Sequence, residues 1–134
     1  MDKLDIALVL GAAAVVAGSI LLYKNRRKHP VIDIKDVPSE VVDGELAMVD
    51  IVGYFKQLSL TEGDDTPFIA KNCRFFKPQE LLTKEGYETI IIGSYSMKDE
   101  KTKNLKIIHA KSFDKSMSDV IEKVKENDGL VVLQ

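Results

Sequence analysis

Tyr87–Leu133 reads YETIIIGSYSMKDEKTKNLKIIHAKSFDKSMSDVIEKVKENDGLVVL, and its succession of β-rich, charged and periodic stretches decides the fold class. Tyr87–Met97 is rich in Ile, Tyr and Thr and predicts a strand. The charged segment Lys98–Asn104 leads to a second β-rich stretch, Leu105–Phe113, so the two read as an antiparallel hairpin. Met117, Val120, Ile121 and Val124 then fall at i, i+3, i+4 and i+7, the apolar stripe of an amphipathic helix. Asp114 or Ser116 supplies a cap at its start, and Asn127-Asp128-Gly129 supplies its exit. Leu130–Leu133 is an unbroken apolar run, expected as a buried strand.

Upstream, Leu46–Leu60 (LAMVDIVGYFKQLSL) is rich in Val, Ile, Tyr and Phe, and reads as one long strand bent at Gly53. Thr61–Pro67 (TEGDDTP) is a turn by composition, Phe68–Phe76 a further strand, and Gln79–Lys84 a single helical turn closed by Gly86. Pro30 opens a stretch, residues 30–45, in which apolar and acidic residues mix around Pro38 and Gly44. It is expected to be an extended stalk with a short strand at Val31–Val37.

The first 29 residues differ in kind. Ile6–Tyr23 (IALVLGAAAVVAGSILLY) carries no charge over 18 residues. As a helix it spans about 27 Å, close to the ~30 Å hydrocarbon core of a bilayer. Lipid leaves a single segment no other way to satisfy its backbone groups. The span is marked by Ile6, Leu10, Gly11, Gly18 and Leu22, with Tyr23 at the interface and Lys24, Arg26, Arg27 and Lys28 directly after it. A cleaved signal peptide would carry its positive charge before the apolar run, whereas Met1–Asp5 has a net charge of −1. The basic flank places the N-terminus outside and the body in the cytoplasm.

The expected class is therefore α+β: an N-terminal transmembrane helix, then a small five-stranded, mostly antiparallel sheet or OB-like barrel with one amphipathic helix. The expected division is an anchor with basic flank at 1–29, a stalk at 30–45 and a soluble domain at 46–134.

Length and composition narrow the function classes. The chain has 134 residues, 45% of them apolar and 30% charged, with one Cys and no Trp. A lone cysteine excludes an internal disulfide scaffold. The formal charge of −2 divides into +3 for residues 1–30 and −5 for the remainder. Phosphate contacts dominate nucleic-acid affinity, and an acidic body does not suit them. The aromatics Tyr54, Phe55, Phe68, Phe75, Phe76 and Tyr95 lie in apolar stretches and read as core.

No catalytic residue is assigned. The two histidines are His29, beside the span, and His109, within a strand; Cys73, in NCRF, reads as a small apolar core residue. One Cys and two distant His cannot close a zinc site. Glu62, Asp64 and Asp65 lack the spacing of a calcium loop, and no glycine-rich phosphate cradle occurs. No metal or cofactor is expected.

A small acidic domain held on a membrane without an evident active site reads as an interaction or assembly module, an accessory subunit of a membrane complex. Anchoring raises its effective concentration for partners on that surface. The partners expected are the bilayer, a membrane-associated protein, and a second copy through the small-residue pairs Ala7/Gly11 and Ala14/Gly18. The alternative is a tethered OB-like domain for a small ligand or a single-stranded nucleic acid.

Overall fold

A computed structural model describes residues 15–17, 31–61, 63–73, 75–96, 98–99, 101–127 and 129–133. The chain forms one main sheet and a two-stranded ribbon. Its strands are β1 (Val15–Ala17), β2 (Ile32–Asp33), β3 (Ser39–Leu46), β4 (Asp65–Ala70), β5 (Phe76–Lys77), β6 (Glu88–Ser96), β7 (Lys101–Phe113) and β8 (Leu130–Leu133). Among the described residues two helices complete it, α1 (Met48–Gln57) and α2 (Lys115–Glu126), with a 3₁₀ turn at Gln79–Leu82. Five strands run in the order β8-β4-β6-β7-β3, with β1 added beyond β8; β2 and β5 pair separately.

The sheet is mixed. β7 pairs antiparallel with β6, β6 with β4 and β4 with β8, while β3 runs parallel to β7. It is also open: β1 and β3 lie at opposite edges, so the strands do not close into an OB-like barrel. β6 and β7 form the anticipated hairpin, with Ile91 opposite Ile107 and a register shift at Gly93. The added Cβ of any other residue at Gly93 would stand 2.6 Å from Leu105 Cδ2. That close approach is what an interior strand glycine permits.

The segment Leu46–Leu60 departs most from its sequence reading. It is not a bent strand but the end of β3 followed by α1, so the domain has two amphipathic helices rather than one. Met48, Ile51, Val52 and Phe55 are all buried, and their spacing is that of a helical stripe. Ala47 offers no side-chain oxygen at the cap. Its backbone N–H instead donates to Asp50 (3.0 Å), and the Met48 N–H donates to Ser116 Oγ (3.1 Å) in the first turn of the other helix. The α2 start is capped as expected, with Asp114 Oδ1 accepting from the Met117 N–H at 2.9 Å. Both helices start where the neighbouring parallel strands β3 and β7 end. The Asp114 N–H donating to the Leu46 carbonyl ties the two starts together.

Alternation along the central strands divides the core between the two faces. Ile69, Ile90, Ile92, Ile108 and Val131 pack under α1 and α2. Phe68, Ile91, Ile107 and Val132 pack under the ribbon, with Ile34, Phe75 and Phe76. The stretch expected as a stalk thus contributes two strands, β2 on the ribbon and β3 on the sheet edge.

Of the apolar run 6–23 only Val15–Ala17 is described. It forms a short strand antiparallel to β8, with Val16 opposite Val132. The span residues Ile6, Leu10, Gly11, Gly18, Leu22 and Tyr23, and the flank Lys24, Arg26, Arg27 and Lys28, lie outside the described residues. Among the described residues no helix is long and apolar enough to cross a membrane.

Candidate functional site

At one end of the helix-covered face, strand ends and α2 line a solvent-connected cleft of about 470 Å³. Chain topology explains the gap. Lys71 follows the end of β4, Glu88 opens β6, and Lys111, Ser112 and Phe113 close β7, so this is where the strands run out beneath α2. From α2 come Ser118, Ile121, Glu122 and Lys125.

The Lys71 ammonium forms the floor. Its side chain is only 11% exposed; it is held by Glu88 Oε1 at 3.1 Å and donates to the Thr89 carbonyl at 3.2 Å. It also lies 5.9 Å from the centre of the Phe113 ring, whose negative face attracts a cation. Burying an ammonium is unfavourable unless it is paired and hydrogen-bonded, and both conditions are met here. Glu88 remains 55% exposed, so the pair stands half in water at the mouth of the cleft.

On the opposite sheet face, His109 Nδ1 lies 2.7 Å from Thr89 Oγ1, and both side chains are buried. Burial, aided by the positive charge of Lys84, holds the imidazole below its ordinary pKa and keeps it neutral near pH 7. Cys73 is buried on the same face, packed with Phe76, Leu82 and Thr89. Beside this region Tyr87 lies between two ammonium groups, Lys111 at 4.3 Å and Lys84 at 5.4 Å, and its hydroxyl donates to Asp43 at 2.8 Å.

Asp64 and Asp65 use their carboxylates to close loops. Asp64 accepts from the Lys98 N–H (2.7 Å) and Ser96 Oγ (3.2 Å), and Asp65 accepts from the Thr61 N–H (2.8 Å). Among the described residues no group of three or more His, Cys, Asp or Glu side chains could hold a metal ion. Phe55, Phe68, Phe75, Phe76 and Tyr95 are each at most 4% exposed, so these rings are core rather than stacking platforms. Tyr54 is half-buried, donates to the Asn104 carbonyl, and lies 4.9 Å from Lys106 Nζ; burial raises the pKa of its hydroxyl.

Compared with protein-family models, curated proteins and solved structures, the chain matches none of them. The cleft was not legible in the sequence, because Lys71, Glu88 and Phe113 meet only through the pairing of three strands and share no motif spacing.

Proposed function

We propose that this protein is a single-pass membrane protein whose cytoplasmic α+β domain recruits or positions other proteins at the membrane surface, as an accessory subunit of a membrane complex. The observation that carries the reading is the 18-residue charge-free run followed at once by Lys24, Arg26, Arg27 and Lys28. Its length matches a bilayer core and its flank carries the charge that stays inside. On this reading Val15–Ala17 belong to the span. Their pairing with β8 is then given up on insertion, when the helix satisfies the same backbone groups internally.

The domain offers a surface suited to partners. Among the described residues β3 is an edge strand with one flank unpaired, and Glu40, Val41, Asp43 and Glu45 on it are exposed. An open edge accepts an added strand through main-chain hydrogen bonds. Its acidic side chains discourage self-pairing and favour a basic segment.

The test is a mild-detergent pull-down of the full-length tagged protein, compared with the same bait carrying Val41→Pro. A stoichiometric membrane protein recovered by the first bait and lost from the second supports the reading. A bait that returns only itself counts against an accessory-subunit role.

A further inference from the structure

We propose, resting on the anchor reading, that Val15–Ala17 serve as a removable guard on the outer edge of β8. The segment pairs with β8 while the chain is off the membrane and leaves it for the bilayer on insertion, so β8 is bared only in the anchored protein. In the structure Val15, Val16 and Ala17 lie antiparallel to Leu133, Val132 and Val131, at the sheet edge opposite β3. The same three residues stand at the middle of the charge-free run Ile6–Tyr23. In a helical span they lie about 14 Å in from Ile6, near the centre of a hydrocarbon core ~30 Å thick. An open sheet edge does not enter that core, and a helix there uses the same N–H and C=O groups that pairing with β8 requires. Docking on β8 and insertion therefore exclude each other.

The two edges of the sheet are built differently. An uncovered edge strand is a template for unwanted pairing, which charged side chains, a bulge or a covering segment prevent. β3 carries exposed Glu40, Asp43 and Glu45 and a register shift between Val42 and Glu45. β8 reads LVVL, with neither a charge nor a proline, and pairs with β4 from Leu130 to Val132 without a shift. All four of its side chains are buried, Val131 and Leu133 on the helix-covered face, Leu130 and Val132 on the ribbon face. None of them can discourage a newcomer, so among the described residues β1 alone covers the outer main chain of β8. Withdrawing β1 leaves an apolar edge able to accept an added strand through main-chain hydrogen bonds. Strand addition at β8 is thereby confined to molecules already in the membrane.

The test uses the full-length protein with Val16→Cys and Val132→Cys, and with Cys73→Ala to remove the native thiol. Directly opposed residues of an antiparallel pair lie within reach of a disulfide. The protein is synthesised cell-free, with or without phosphatidylcholine–phosphatidylglycerol vesicles, and insertion is read independently as flotation that resists alkaline carbonate. The expected result is an intramolecular crosslink on mild oxidation without vesicles, and its loss in the carbonate-resistant fraction. Chains oxidised before vesicles are added should stay out of that fraction until they are reduced. Hydrogen exchange of the unsubstituted protein gives a second reading: the β8 amides that face away from β4 should exchange faster after insertion. No crosslink without vesicles, a crosslink that persists in the resistant fraction, or unchanged exchange at β8 would each overturn the guard and leave the anchor standing. A chain that never becomes carbonate-resistant, even when reduced, would overturn the anchor reading and the guard with it.

Discussion

Replacing Gly129 with alanine should destabilise the domain, while the same replacement at Gly53 should stabilise it. Gly129 sits between α2 and β8 with φ +94°, and its N–H closes the helix end on the Val124 carbonyl at 2.9 Å. That backbone conformation costs a side-chain-bearing residue about 1–2 kcal/mol. The added Cβ would also stand 2.9 Å from the Lys71 carbonyl oxygen and 3.1 Å from Cys73 Cα. Both neighbours are backbone and neither can swing aside, so an overpacking cost of about 1–2 kcal/mol adds to the conformational one. The total, about 2–4 kcal/mol, is a large fraction of the roughly 5–15 kcal/mol that holds a domain folded. With a urea dependence of about 1.5 kcal/mol per molar for a body this size, the midpoint should fall by about 2 M.

Gly53, by contrast, lies inside α1, and nothing stands within 4 Å of its added Cβ. Alanine there gains about 1 kcal/mol of helix propensity, and the midpoint should rise by about 0.7 M. Pulse proteolysis of the full-length protein across a urea series reads both shifts. Midpoints that move in the same direction, or a Gly129→Ala midpoint equal to the parent's, would show that neither the positive φ nor the close backbone approach at Gly129 requires glycine.

Two further outcomes rest on the side-chain geometry and a third on the sequence of the basic flank. Because burial and Lys84 depress the His109 pKa, the unfolded chain takes up a proton that the folded one refuses. Stability should therefore rise with pH from the lowered folded value up to about 6.5 and level off above it, and urea midpoints of His109→Gln should lose that part of the slope. Asp114 caps α2, and its carboxyl is held below the ordinary range by hydrogen bonds from Ser116 and the Met117 N–H. Its contribution should vanish as pH falls through that lowered value; Asp114→Ala should lower the midpoint near pH 7, with Asp114→Asn closer to the parent. Replacing Lys24, Arg26, Arg27 and Lys28 with glutamine should leave insertion intact but mix the two orientations, read by protease accessibility of the body in sealed vesicles.

The second half of the fold was legible because several local signals agree there. The stripe Met117, Val120, Ile121 and Val124, the Asp114 cap and the Gly129 exit all specify α2, and each has its expected place in the structure. The hairpin of β6 and β7 was legible for the same reason, although β7 begins at Lys101, inside the segment read as a loop. In α1 the signals conflict. Met48, Ile51, Val52 and Phe55 carry the helical spacing, while Val, Ile, Tyr, Phe and an interior glycine favour strand. Burial of the stripe against the sheet, and the Ser116 hydroxyl accepting from the Met48 N–H, decide it for helix. Both are tertiary facts that a local reading lacks. The parallel β3–β7 pair was hidden for a similar reason, since Ser39–Leu46 alternates weakly and gains its place from β7. The cleft is illegible in principle from one sequence, because its lining is assembled from separate strand ends.

On the proposed reading the apolar run anchors the chain with its body in the cytoplasm. A fluorescent protein that matures only in the cytoplasm, fused after Gln134 and imaged in living cells, tests it most directly. A bright signal confined to a membrane is expected. A bright signal spread evenly through the cytoplasm would contradict the anchor, and a membrane-bound but dark fusion would contradict the orientation.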